Sequence, residues 1–139
     1  MPLLPSGDAM QLHVLDYVVL FVEDLDRSLA FYLEVLGIPL HHRAGPYAQL
    51  AAGTTRLGLY ERGAISETLK TPLRNPDGDA PGFQLGFKVD DVDAAHAELV
   101  ARGVPSAGEP VTRHWGQRTA HVRDPDGHLI ELAQDGFWA

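Results

Sequence analysis

At 139 residues, with 45% hydrophobic and 22% charged content, the chain suits one compact domain with a real core and is too apolar for disorder. Its 11 basic and 19 acidic residues leave a formal charge of −8, which argues against nucleic acid or an anionic membrane as partner and suits neutral or cationic small molecules. No cysteine is present, which excludes disulfides, thiolate chemistry and zinc–sulfur sites. No apolar run reaches the length of a membrane span.

Residues 1–12 read as a loose N-terminal arm, with two prolines and no charged stretch leading into an apolar one, so a cytoplasmic location is expected. A first module follows over residues 13–62. His13 to Val22 is apolar on both faces, the pattern of a strand covered on both sides. Asp24-Leu25-Asp26 offers a helix start, and Leu29, Tyr32, Leu33 and Leu36 form one apolar stripe at i, i+3, i+4 and i+7. Gly37 suits a left-handed cap, and Pro39 prevents continuation. Three short extended pieces complete the module, at Leu40 to Arg43, Ala48 to Ala51 and Arg56 to Glu61. Residues 63–82 hold three prolines, the turn-like Asn75-Pro76-Asp77-Gly78 and little periodicity, and read as a linker.

A second module then restarts the pattern over residues 83–135, followed by a tail at 136–139. Phe83, Leu85, Phe87 and Val89 alternate with Gln84, Gly86 and Lys88. Asp91-Val92-Asp93 echoes Asp24-Leu25-Asp26, and Gly103-Val104-Pro105 echoes Gly37-Ile38-Pro39. A strand, a helix and a glycine-capped exit repeated in register mark a duplicated unit. The fold expected is α+β, two βαβββ modules with curled mixed sheets forming a concave cavity.

The repeat also aligns individual residues. It sets Tyr17 against Gln84 and, matching Gly53 with Gly127, Leu57 against Glu131. Since Phe83, Leu85, Phe87 and Val89 must cover their own helix, Gln84 faces the opposite, concave side. Glu131 does likewise if Ile130 and Leu132 pack on the helix. A regular hairpin around Pro125-Asp126 pairs Ala120 with Glu131 and turns His121 away, although one bulge would reverse this.

Three motifs in order carry a family likeness: Val22-Glu23-Asp24-Leu25-Asp26-Arg27-Ser28-Leu29-Ala30-Phe31-Tyr32, Val89-Asp90-Asp91-Val92-Asp93, and Asp124-Pro125-Asp126-Gly127 running into Ile130-Glu131-Leu132. The chain resembles the vicinal oxygen chelate superfamily, which includes glyoxalase I, extradiol dioxygenases, and fosfomycin- and bleomycin-resistance proteins. The resemblance implies paired modules, sites commonly completed by dimerisation and, in the metal-dependent members, an ion held by His, Gln or Glu from first and last strands. Those ligand positions match Tyr17, Leu57, Gln84 and Glu131. A phenol and a leucine at two of the four make a poor site for a divalent ion, leaving only Gln84 and Glu131 as metal ligands.

Tyr17 and Leu57 are then apolar walls for a flat ligand, with Gln84 and Glu131 as polar anchors. Glu131 could equally serve as a catalytic base or pair with a ligand amine. Trp115, in the loop Arg113-His114-Trp115-Gly116-Gln117-Arg118, offers a stacking plane and is read as a further ligand-binding wall. Phe137-Trp138 either covers the cavity mouth or a dimer partner, or is a free end. Of the seven histidines, His41 and His42 are adjacent and on a strand point to opposite faces. The expected function is a metal-independent small-molecule binder of the bleomycin-resistance type, with no cofactor, acting as a homodimer on an apolar, aromatic or cationic compound. Two alternatives are a glyoxalase-type lyase or isomerase with Ni, Zn, Mn or Fe, and a metal-free enzyme with Glu131 as base.

Overall fold

The computed structural model describes residues 10, 12, 14–74 and 81–138. Of the N-terminal arm only Met10 and Leu12 are described, both exposed, and the Asn75-Pro76-Asp77-Gly78 turn and His13 lie outside the described residues. The first module runs β1 (Tyr17–Val22), α1 (Leu25–Leu29, continued as a π-helical turn over Ala30–Val35), β2 (Leu40–Ala44), β3 (Tyr47–Ala52) and β4 (Thr55–Glu61). The segment read as a linker opens with a helix, α2 (Arg62–Leu69), that ends at Lys70 in a left-handed conformation. The second module runs β5 (Gln84–Lys88), α3 (Val92–Ala101), β6 (Ser106–Thr112), β7 (Gln117–Arg123) and β8 (Leu129–Asp135).

Each module folds as its repeat requires. Asp24 and Asp91 cap the helices, accepting from the backbone N–H of Arg27 and Ala94 at 3.1 Å. In α1 the Leu36 N–H donates to the carbonyl of Phe31, five residues back, and adjacent Phe31 and Tyr32 both lie in the core. The two mixed sheets have the orders β1-β4-β3-β2 and β5-β8-β7-β6, with the first strand of each module parallel to its last. On the helix side, Leu20, Val22, Leu50, Leu57 and Leu59 from one sheet and Ala120, Val122, Ile130 and Leu132 from the other belong to one continuous core with Leu25, Tyr32, Val92 and Leu99. The opposite face of each sheet is left open.

A polar clip joins the modules. The turn before β8 sets Asp126 against the start of α1, where it accepts from Glu23 N–H (2.9 Å), Ser28 Oγ–H (3.1 Å) and Arg27 (3.2 Å). Beside it Asp124 accepts from the Tyr32 hydroxyl at 2.7 Å and from His128 Nδ1–H at 2.8 Å. Burial works against the Asp124 charge, but the bonds from His128 and Tyr32 outweigh it and hold the carboxyl below the usual carboxylate range. Burial first, then the Asp124 charge, pushes the Tyr32 phenol far up. Asp124, Asp126 and His128 are close enough to hold a cation. Their oxygens, however, are occupied by donors from α1 and the turn itself, so the cluster reads as a structural joint.

Candidate functional site

Strand parity decides what each open face presents. On the first sheet it presents Tyr17, Val19 and Phe21 from β1, Tyr47 and Gln49 from β3, and Gly58 and Tyr60 from β4. With Ile65 of α2, six of these line an apolar pocket of about 560 Å³. Tyr17 is half exposed at its rim. Leu57 is not on this face. It is 4% exposed and packs toward the helices, level with Val18 and Leu50.

Gly58 stands where Leu57 was expected. Val19 pairs with Gly58 as Gly86 pairs with Glu131, so Gly58 is the first-module counterpart of Glu131. The alignment through Gly53 and Gly127 misses this because the two hairpins differ by one residue. Ala52 pairs with Thr55 across a two-residue turn, whereas Asp124 N–H donates to the His128 carbonyl across a three-residue loop. The missing side chain at Gly58 is replaced by Tyr47: a Cβ there would lie 2.8 Å from the Tyr47 hydroxyl, which itself accepts from Gln49 Nε2–H at 3.0 Å.

The same extra residue corrects His121. It pairs with Glu131, not Ile130, and so shares the open face of the second sheet with Glu131 and Gln84. Gln84 Nε2–H donates to Glu131 Oε2 at 3.1 Å, and Gln84 Oε1 lies 3.0 Å from His121 Nε2. With the Gln84 amide nitrogen turned to the carboxylate, its oxygen can only accept, so the proton of His121 sits on Nε2. His121 Nε2 is also 3.5 Å from Glu131 Oε2, and both side chains are less than one-fifth exposed. Burial lowers the His121 pKa. The Glu131 charge opposes this and Arg113 adds to it, leaving the imidazole below its ordinary value and neutral at pH 7. Gly86 leaves open space over Glu131, whose Oε1 would be 3.7 Å from a Cβ placed there.

Farther along the same face, Trp115 Nε1–H donates to Gln117 Oε1, Gln117 Nε2–H to Asp135, and Lys88 to Asp135. Trp115 sits in the tight turn between β6 and β7, about half exposed and edge-on to His114. The tail crosses this turn: Phe137 N–H donates to the Gly116 carbonyl, and the Trp138 indole lies flat on Gly116, where a Cβ would come within 2.5 Å of it. Tyr17, Gln84, Trp115 and Glu131 are therefore on open faces, but Tyr17 is on one sheet and the other three on the second.

One further histidine expectation changes. A register shift between Leu40 and His42 makes His41 the extra residue of a bulge, and the two rings meet with Nδ1 atoms 2.9 Å apart instead of pointing apart. Both are exposed. His96 is buried in α3 and lies 2.8 Å from the Ser106 hydroxyl, a packing role.

Residues 14–132 match the model of the Glyoxalase/Bleomycin resistance protein/Dioxygenase superfamily. The uncharacterized protein YraH of Bacillus subtilis is 36% identical over 117 residues, covering 81% of this chain and 91% of that one. A protein named Probable lactoylglutathione lyase from Vibrio parahaemolyticus is 31% identical over 130 residues, covering 86% and 88%. The crystal structure of a glyoxalase-related enzyme from Fulvimarina pelagi superposes with a TM-score of 0.77 at 23% identity, covering 89% of each chain, a likeness of fold.

Proposed function

We propose a function from one premise: the chain belongs to the Glyoxalase/Bleomycin resistance protein/Dioxygenase superfamily. It is a metal-independent small-molecule binder that holds a flat apolar or aromatic compound carrying a cationic or hydrogen-bond-donating group. The observation that carries this reading is the contrast between the open faces. The first offers an aromatic pocket with no carboxylate or imidazole among its lining residues, and the second a carboxylate, Glu131, oriented by Gln84 and His121.

A divalent ion, as the lyases of the superfamily imply, would find donors from the second module alone. The Nε2 proton of His121 is directed at Gln84, the Gln84 amide donates to Glu131, and the matching first-module positions hold Tyr17 and Gly58. A metal would have to break these bonds and move the His121 proton to Nδ1, with no first-module ligand to complete its shell. The chain's own residues suffice for binding: aromatic walls supply apolar area, and Glu131 takes an ammonium or N–H group.

The two faces come together in a homodimer. Both β1 and β5 are edge strands of their sheets, and the Tyr17 pocket is lined by residues 17–65 alone. Pairing β1 of one copy with β5 of another would cover both edges and set the aromatic pocket beside Glu131.

Bleomycin, aromatic at one end and cationic, is the probe for titration calorimetry on protein purified without a histidine tag. Binding is expected with less than about 0.1 metal per chain, and Glu131→Gln weakens it roughly 10-fold or more, the worth of one charge-assisted bond. About one tightly bound metal per site would sink the metal-independent reading. Turnover of a hemithioacetal that Glu131→Gln abolishes without loss of binding would make Glu131 a base instead.

A further inference from the structure

We infer that Arg113 forms a carboxylate-binding subsite on the open face of the second sheet, so that the ligand carries a planar anionic group beside its donor group. This rests on the binding role proposed above and narrows the ligand to an amphoteric compound.

Arg113 opens the turn between β6 and β7, its N–H donating to the Gln117 carbonyl at 2.7 Å. Val111 pairs with Thr119, so by strand parity Arg113 projects on the same face as Thr119 and His121. Its side chain is folded back along that face and anchored, Nε–H donating to Thr119 Oγ1 at 3.0 Å. Thr119 is 1% exposed and its cross-strand neighbour Ala133 is 3% exposed, although both lie on the open side of the sheet. Among the described residues, neither terminal nitrogen of Arg113 has a hydrogen-bond or carboxylate partner. The other arginines of the second module differ. Arg118 is bound through two nitrogens to Asp93, and Arg102 and Arg123 donate to backbone carbonyls.

A guanidinium fixed through Nε presents its two outer N–H groups as a fork that fits a carboxylate. The fork is close to the polar cluster. Thr119 and His121 are two residues apart, roughly 6.8 Å along a strand, and His121 faces Glu131. The Arg113 charge reaches His121, where it adds to burial in keeping the imidazole neutral. An anion-accepting fork and an anionic carboxylate at this separation select a ligand with a cation at one end and a carboxylate at the other.

The test is titration calorimetry with three rigid probes: 4-(aminomethyl)benzoate, 4-(aminomethyl)benzamide and 4-methylbenzoate. The benzoate with the amine is expected to bind at least about 10-fold tighter than its amide. Arg113→Gln brings the two within about twofold, and Thr119→Val, which keeps the charge but frees Nε, gives an intermediate preference. Circular dichroism confirms that both variants fold, and Arg113→Lys, with charge but no fork, serves if Arg113→Gln does not. Equal binding of acid and amide by the wild type, or a preference that survives Arg113→Gln, overturns the subsite while the binding role stands. Binding of none of the three probes overturns the subsite as well, and bleomycin titration then decides the binding role by itself. A dimer that falls apart in Arg113→Gln, with no acid preference in the wild type, would assign the fork to a carboxylate of the second copy.

Discussion

Replacing Asp126 by alanine removes the Asp126 half of the clip that ties the two modules together across about a hundred residues of chain. Three donors lose their acceptor: the Glu23 N–H, the Ser28 hydroxyl and the Arg27 guanidinium. The Ser28 side chain is fully buried, and stranding it costs about 1–3 kcal/mol. The Glu23 bond, part-buried and made to a carboxylate, adds about 1 kcal/mol. Arg27 is 45% exposed, so its share is below about 1 kcal/mol after solvent screening. A loss of about 3–4 kcal/mol follows, a large part of the stability of a domain this size. Equilibrium urea unfolding followed by circular dichroism measures it. The midpoint should fall with the slope unchanged, because both modules share one core and unfold together. A loss below about 1 kcal/mol would refute the clip as a joint, and so would two separate transitions in the wild type.

Two other outcomes follow from the same geometry. Gly58→Ala drives its Cβ into the Tyr47 ring, so Tyr47 must leave Gln49. Stability should fall by only about 1 kcal/mol, since the ring edge can move, while the aromatic pocket loses its affinity for bleomycin in titration calorimetry. For Tyr32→Phe the effect depends on pH. The folded pKa of Asp124 lies below its ordinary 3.8, so its contribution is complete above that value and is lost as pH falls through the folded value. Tyr32 is one cause of that depression, and its removal should cost about 1–2 kcal/mol at pH 7 and less as pH falls from there through the folded value of Asp124. A penalty that is constant across this range in urea titrations would refute the coupling.

Much of the fold was legible because the chain states its plan twice. Asp24 and Asp91 cap equivalent helices, and the alternation through Gln84, Gly86 and Lys88 marks the open face. Gln84 and Glu131 do meet, at 3.1 Å. What sequence could not give was register, because a hairpin pairing depends on how many residues its turn consumes. One residue more before β8 than before β4 moved His121 onto the open face and put Gly58, not Leu57, opposite the Glu131 position. A signal existed for the first: Asp-Pro-Asp-Gly fits a type I turn closed by a left-handed glycine, and Gly127 has φ +90°. Nothing local announces that Tyr47 fills the space over Gly58 or that Arg113 folds back onto Thr119. Both are contacts between residues brought together only by the sheets.

The unequal hairpins make turn length a chemical variable. Each strand carries two interleaved rows of side chains, and a turn's residue count chooses which row of one strand faces which row of the next. Were the turn to consume only Pro125 and Asp126, Ala120 would stand beside Glu131 and His121 would turn toward the helices, with no residue replaced. A duplicated unit can thus give its two halves different surfaces, aromatic in one and ionic in the other, by where each turn closes as well as by substitution.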